Sequence, residues 1–134
     1  MLQGYLGGLP AFLAYFATAG ALVLAFAALY IQVTAHREFA LIRQGNLAAV
    51  PAFIGALVGF VLPLTTAMQF SVNWFDFVIW AVIAAVVQIA AYFLARVLMP
   101  DVSQRIVDGE IAGGAWLGGV ALVCGMVNAA SMTP

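Results

Sequence analysis

The sequence predicts an all-α integral membrane protein. Its expected architecture is four transmembrane helices as a parallel tandem repeat of two-span units, each with a short cytoplasmic interfacial helix. Three observations predict it. Of 134 residues, 66% are hydrophobic and 7% are charged, and none is lysine. The apolar residues fall into runs long enough to cross about 30 Å of hydrocarbon at about 1.5 Å per residue. Two stretches, GNLAAVPAFIGALVGFVLPLTTAM from Gly45 and GEIAGGAWLGGVALVCGMVNAASM from Gly109, stand 64 positions apart and resemble each other.

Composition excludes several classes. A soluble domain carries about 25% charged residues, and a chain this small could not hide so much apolar surface from water. The solvent is therefore largely lipid, and the spans leave no room for a second domain. Residues 1–134 are read as one membrane domain, with repeat one at about 9–70 and repeat two at about 74–134. A net charge of -1 and four scattered arginines make no basic patch, so nucleic acid is not an expected partner. The single Cys124 rules out an internal disulfide framework. The N-terminal MLQGYLGGLP lacks a basic region, so the first apolar run reads as a retained span, not a removed signal.

Span one is expected over Leu9 to Val33, with Phe12, Tyr15, Phe16 and Ala19 as a lipid-facing stripe. The charged segment THREFALIRQGN follows. It opens on Thr34 as a helix N-cap and closes on Gly45 as a stop, which predicts a short surface helix. Span two runs from Leu47 to Phe70. Pro51 sits in its first turn, where a missing N–H costs little. Pro63 is interior and frees a carbonyl near Gly59, with Thr65 and Thr66 in reach to satisfy it. A short turn, Ser71 to Phe75, leads to span three from Asp76 to Leu98, with Trp74, Phe75 and Trp80 as an interfacial belt. A second charged segment, MPDVSQRIVDGE, precedes span four, Ile111 to Ala130. Arg37, Arg43, Arg96 and Arg105 all flank or occupy the two charged loops, which places these loops in the cytoplasm and both termini in the periplasm.

The repeat extends beyond the opening pair. Ile106 answers Ile42, Ala112 answers Ala48, Gly119 answers Gly55 and Met132 answers Met68. Two spans return the chain to the same side, so the copies are parallel, related by an axis along the membrane normal. Spans two and four carry the small residues, and small residues let helix backbones approach in lipid. Gly55, Gly59, Gly114, Gly118 and Gly119 are therefore the expected packing positions, with spans two and four central and one and three flanking. One such face would serve a homo-oligomer, a dimer being the simplest.

The pattern T-x-H-x-E-x-x-L-I-x-x-G-N-x-A-A, here Thr34, His36, Glu38, Leu41, Ile42, Gly45, Asn46, Ala48 and Ala49, resembles the YjfL-like family of bacterial inner-membrane proteins, domain of unknown function 350. Gly55, Gly59, Phe60, Leu62, Pro63 and Leu64 fit the family's later motif, as do Asn128, Ala129, Ala130, Met132 and Thr133 at the end. Ala35 before His36 departs from the Pro-His of some relatives. The resemblance implies a four-span protein of the inner membrane. It carries no catalytic activity or cofactor. The relatives' setting near PspA-like envelope-stress proteins and glutathionylspermidine-synthase-like enzymes implies membrane maintenance and a membrane-stress protein as partner.

Two groups of polar residues invite a functional reading. Thr34, His36, Glu38 and Asn46 form an expected cytoplasmic interfacial cluster, with Arg37 or Arg105 as ion-pair partner. A metal needs three or four ligands and the chain has one histidine, so capping and salt bridging is the favoured role. The second group is intramembrane: Pro63, Thr65, Thr66, Gln88, Asn128 and Ser131. Polar groups in hydrocarbon either glue helices together or mark a pathway, and glue is the favoured reading here. Cys124 reads as core packing. No catalytic, metal or cofactor-binding residue is expected. The resulting expectation is a non-enzymatic inner-membrane protein with a structural or regulatory role in envelope or membrane-stress maintenance. The alternative is a small oligomeric channel or transporter for an ion or small solute.

Overall fold

The computed structural model describes residues 2–34 and 36–132. Thr133 and Ala35, both used in the motif comparison, lie outside the described residues. Six helices follow in order: α1 (Leu2–Val33), α2 (Glu38–Arg43), α3 (Ala49–Phe70), α4 (Trp74–Leu98), α5 (Val102–Val107) and α6 (Ile111–Ser131). Four of them, α1, α3, α4 and α6, are long and apolar enough to cross a membrane.

α1 starts at Leu2, earlier than the expected Leu9. Gly4, Gly7, Gly8 and Pro10 are poor helix formers in water. The helix nevertheless continues through them. Its 32 residues span about 48 Å. Only Phe26 and Tyr30 near its end are buried. Phe26 stacks on Phe60 of α3 with ring centroids 4.4 Å apart, and Tyr15 packs on Phe77 of α4 at 5.7 Å. In the predicted stripe, Phe12 and Phe16 are exposed, while Tyr15 and Ala19 are half-buried against the other helices.

The core seam lies between α3 and α6. Side chains are too small there to hold the backbones apart. A Cβ on Gly55 would strike the Gly118 backbone, one on Gly114 the Ala48 carbonyl, and one on Gly118 the Pro51 carbonyl. Gly59 meets Ala121, and Gly125 meets Gly59. Gly125 belongs to the same face of α6 as Gly114, Gly118 and Ala121, at steps of four, three and four along the chain, a pattern present in the sequence and not singled out there. Gly119 departs from the expected packing set. It is exposed, with nothing within 4 Å of an added Cβ. One residue past Gly118 on a helix is about 100° around the axis, so both cannot face one seam.

α4 joins the seam through Gln88 and through Ala95, whose carbonyl accepts the Trp116 indole N–H at 3.1 Å. Its start is capped. Asn73 Oδ1 accepts from the Asp76 N–H at 2.9 Å, and Asp76 Oδ2 accepts from the Val72 N–H at 3.1 Å. Trp74 and Phe75 are exposed beside this turn, and the Trp74 indole donates to the Thr18 hydroxyl at 2.9 Å.

Both short helices end in the same way. Gly45 has φ +87° and Gly109 has φ +79°. The Gly45 N–H donates to Ile42 and the Asn46 N–H to Leu41, each at 2.9 Å. The Gly109 N–H donates to Ile106 at 3.0 Å and the Glu110 N–H to Arg105 at 2.9 Å. Each is a Schellman ending, which needs a left-handed residue after the last turn. Thr34 does not cap α2, as its sequence position suggested. The residue before Glu38 is Arg37, which makes no side-chain cap.

Candidate functional site

The polar residues gather unequally. In the intramembrane group, the Thr65 hydroxyl donates to the Leu62 carbonyl at 2.8 Å and the Thr66 hydroxyl to the same carbonyl at 3.3 Å. The Ser131 hydroxyl donates to Val127 at 2.8 Å. Each of these three bonds its own helix, and Thr65 and Ser131 are exposed. The expected convergence of Thr65, Thr66, Asn128 and Ser131 across one axis is not built from their hydrogen bonds. A hydroxyl one turn from a carbonyl in its own helix satisfies itself locally, with no need for a neighbour. The carbonyl that Thr65 and Thr66 satisfy is that of Leu62, not the one near Gly59.

Gln88 behaves differently. It is buried, and its Nε2 donates to Ala121 of α6 at 3.0 Å, with Ala56 of α3 at 3.5 Å. The amide enters where Gly59 has no side chain, since a Cβ there would overlap Gln88 Nε2. Gln88 thus joins three spans. Its Oε1, and Nδ2 of the buried Asn128, have no hydrogen-bond partner among the described residues. Pro63 is buried beside Leu64 in the same helix.

Three residues of the expected cytoplasmic interfacial cluster are buried within the protein. Thr34, His36 and Glu38 are 7%, 2% and 0% exposed. The Thr34 hydroxyl donates to the His36 carbonyl at 3.1 Å, with the Ile31 carbonyl at 3.3 Å. His36 Nε2 lies 2.8 Å from Glu38 Oε1, and His36 Nδ1 lies 3.0 Å from Ser103 Oγ on α5. Tyr30 stands alongside, with Tyr92 of α4 edge-on to it at 5.8 Å. The Tyr30 hydroxyl and Glu38 Oε2 are buried and have no hydrogen-bond partner among the described residues. Burial pushes the Glu38 carboxyl above its ordinary range, while the hydrogen bond and charge of His36 pull it the other way.

Arg37 and Arg105 do not supply the expected ion pair. Arg37 is exposed. Arg105 Nε pairs with Asp101 Oδ2 at 2.8 Å, one helical turn back, and its Nη1 with Glu110 at 3.2 Å. A guanidinium with two local carboxylates in reach stays hydrated, and burying it against Glu38 would forfeit that hydration. Asn46 stands apart from His36 and acts as a clamp. Its Oδ1 accepts from the N–H groups of Ala48 and Ala49 at 2.9 and 3.1 Å, capping α3. Its Nδ2 donates to the Ile106 carbonyl of α5 at 2.8 Å.

Ser103, Tyr30 and Tyr92 were not singled out from the sequence. The His36–Ser103 contact joins residues 67 apart, and no local pattern signals it. Among the described residues no three His, Cys, Asp or Glu side chains come together as a metal set. Cys124 is half-buried beside an apolar surface groove that Trp116 and Leu94 also line.

Nearly the whole chain matches known sequences. The family model described as Domain of Unknown Function (DUF350) covers residues 4–132. The "UPF0719 inner membrane protein YjfL" of Escherichia coli (strain K12) is 40% identical over 128 residues, covering 96% of this chain and 97% of that protein. The protein of the same title in Escherichia coli O157:H7 matches equally, at 40% over 128 residues. No solved structure matches. With the motif around His36, Glu38 and Asn46 and the glycine seam inside the matched span, this chain belongs to the DUF350 family.

Proposed function

We propose that this chain is a multi-pass protein of the bacterial inner membrane, without enzymatic activity, whose role is structural or regulatory and is exercised through helix packing. The relatives' description as inner membrane proteins supports the location. The observation that carries the packing role is the α3–α6 seam. Gly55, Gly59, Gly114, Gly118 and Gly125 bring the two backbones into direct contact, so the protomer's centre is filled by main chain. Near it Gln88 Nε2 donates to another helix and the Thr66 hydroxyl to its own. The arginine distribution supports periplasmic termini, with α2 and α5 at the cytoplasmic surface. The identical Schellman endings at Gly45 and Gly109 support an origin by tandem duplication. Envelope maintenance with a membrane-stress protein as partner, and self-association through the exposed apolar faces, complete the reading.

A second reading is a channel or transporter formed between copies. The buried Asn128 Nδ2, which has no hydrogen-bond partner among the described residues and is close in sequence to exposed Ser131, favours it. Flux of ions or small solutes in proteoliposomes separates the two. The packing role predicts no flux above empty liposomes. Flux in the wild type that is lost in Asn128→Leu and Thr66→Val would replace it with the second reading. Cysteines placed at Val72 and Gly45 test orientation: outside-only reagents should label the first and spare the second.

A further inference from the structure

We propose that His36 and Glu38 form a buried binding site for one exchangeable proton, whose occupancy sets how firmly the link between α1 and α2 is held to α5. This goes beyond the packing role and holds whether or not the protein conducts.

The geometry is that of a shared proton. Glu38 Oε1 and His36 Nε2 are 2.8 Å apart, and the other ring nitrogen reaches Ser103 Oγ at 3.0 Å. Beyond its own ring proton, the pair can hold one more. With it, the pair is neutral overall, either as imidazolium and carboxylate or as imidazole and carboxylic acid. Without that proton, His36 keeps one ring N–H and Glu38 keeps a full negative charge in the interior.

Among the described residues no arginine pairs with Glu38 to compensate that charge. From α1 the pair is faced by Thr34 and Tyr30, with Tyr92 of α4 behind Tyr30, and from α5 by Ser103. Arg37, Arg43 and Arg96 are exposed, and Arg105 is engaged by Asp101 and Glu110. Glu38 Oε2 already lacks a donor among the described residues. A buried charge without a counter-charge is costly, and the escape is hydration. Glu38 opens α2, and α2 is a helix of six residues, so the least disruptive way to hydrate it is to lift α2 and the preceding link away from α5. Acid therefore closes the junction, and alkali loosens it. Ser103 is a positioning residue. It can accept from, or donate to, whichever form of the ring is present.

The test uses the full-length chain in lipid nanodiscs. Histidine occurs once in the sequence, so ¹⁵N-histidine labelling gives one unambiguous ring spectrum. Hydrogen exchange of Glu38–Arg43 and Val102–Val107, corrected for intrinsic rates, reports the junction. Between roughly pH 5 and pH 9, protection of both segments should fall by up to about tenfold per pH unit across a one-proton step, together with a change in the His36 ring. Glu38→Gln should abolish the step and hold protection at its acid level. Ser103→Ala should lower protection at every pH and keep the step. Constant wild-type protection across the range, or a step that persists in Glu38→Gln, overturns the proposal. If Glu38→Gln does not fold, the wild type decides alone: loss of protection with an unchanged His36 spectrum also overturns it. The flux measurement is read separately and bears on neither outcome.

Discussion

The Asn46 side chain holds two helices at once: its oxygen caps α3 through Ala48 and Ala49, and its nitrogen donates to the Ile106 carbonyl of α5 at 2.8 Å. One residue thereby ties the entry of the first packing helix to the short helix that precedes the second. Removing a cap costs about 0.5–2 kcal/mol, and a lost interior hydrogen bond about 1 kcal/mol. Asn46→Ala should therefore lower stability by roughly 2 kcal/mol in detergent unfolding. Asn46→Asp retains the capping oxygen and loses only the donor, so it should fall between the two. Equal losses in both variants would mean that capping contributes nothing.

The glycines of α6 give a position-by-position prediction. Gly114 and Gly118 abut backbone carbonyls of Ala48 and Pro51, which cannot rotate aside. Overpacking costs about 1–3 kcal/mol where neighbours can shift, so Gly114→Val and Gly118→Val should lose at least about 3 kcal/mol or fail to accumulate. Gly119→Ala, with open space around it, should stay within about 0.5 kcal/mol of wild type. Yield and thermal midpoint measure both, and a damaging Gly119→Ala would point to a contact between copies on that face.

At Gly45 and Gly109 the cost is conformational alone. Neither has an atom within 4 Å of an added Cβ, and both have positive φ. Alanine there should cost about 1–2 kcal/mol at each site. Asparagine should cost less, because it tolerates the left-handed region. The prediction fails if the two alanine variants differ by more than about 1 kcal/mol from each other.

Gln88 joins α4 to α3 and α6 with one amide. Interhelical hydrogen bonds in membranes contribute about 0.6–2 kcal/mol. Gln88→Leu should lose that amount in unfolding assays, without altering the number of spans. A stabilised Gln88→Leu would show that the unpartnered Oε1 costs more than the Nε2 bond contributes.

Stability should depend on pH through Glu38. Its carboxyl is raised above the ordinary value of 4.5, so the folded chain binds this proton more tightly than the unfolded one. Stability is then fully present below about pH 4.5 and falls as pH rises through the folded-state value. Asp101 has the opposite sign, since Arg105 lowers its carboxyl, but it is exposed and solvent-screened. Thermal midpoints in nanodiscs should decline with rising pH in the wild type and flatten in Glu38→Gln. A midpoint that rises over the same range would contradict the assignment.

Much of this architecture was legible in sequence because lipid simplifies the problem. Apolar runs must become helices where no water can satisfy the backbone, so the spans and their order followed from composition and length. The glycine stops were legible for the same kind of reason, since a left-handed residue after a helix admits few side chains. Boundaries were less so. Span one was expected from Leu9, and α1 begins at Leu2.

By itself, then, the sequence determined the number of apolar helices, their punctuation at Gly45 and Gly109, and which two helices carry the small residues. These depend on local chemistry: hydropathy, backbone dihedrals and side-chain size. Only the tertiary structure decided that His36 and Glu38 are interior and meet Ser103, that Thr65, Thr66 and Ser131 bond their own helices, and that Gly119 faces outward while Gly125 faces the seam. Burial, and the partner a polar atom finds, depend on how elements distant in the chain pack. No charge pattern read along the sequence contains that information.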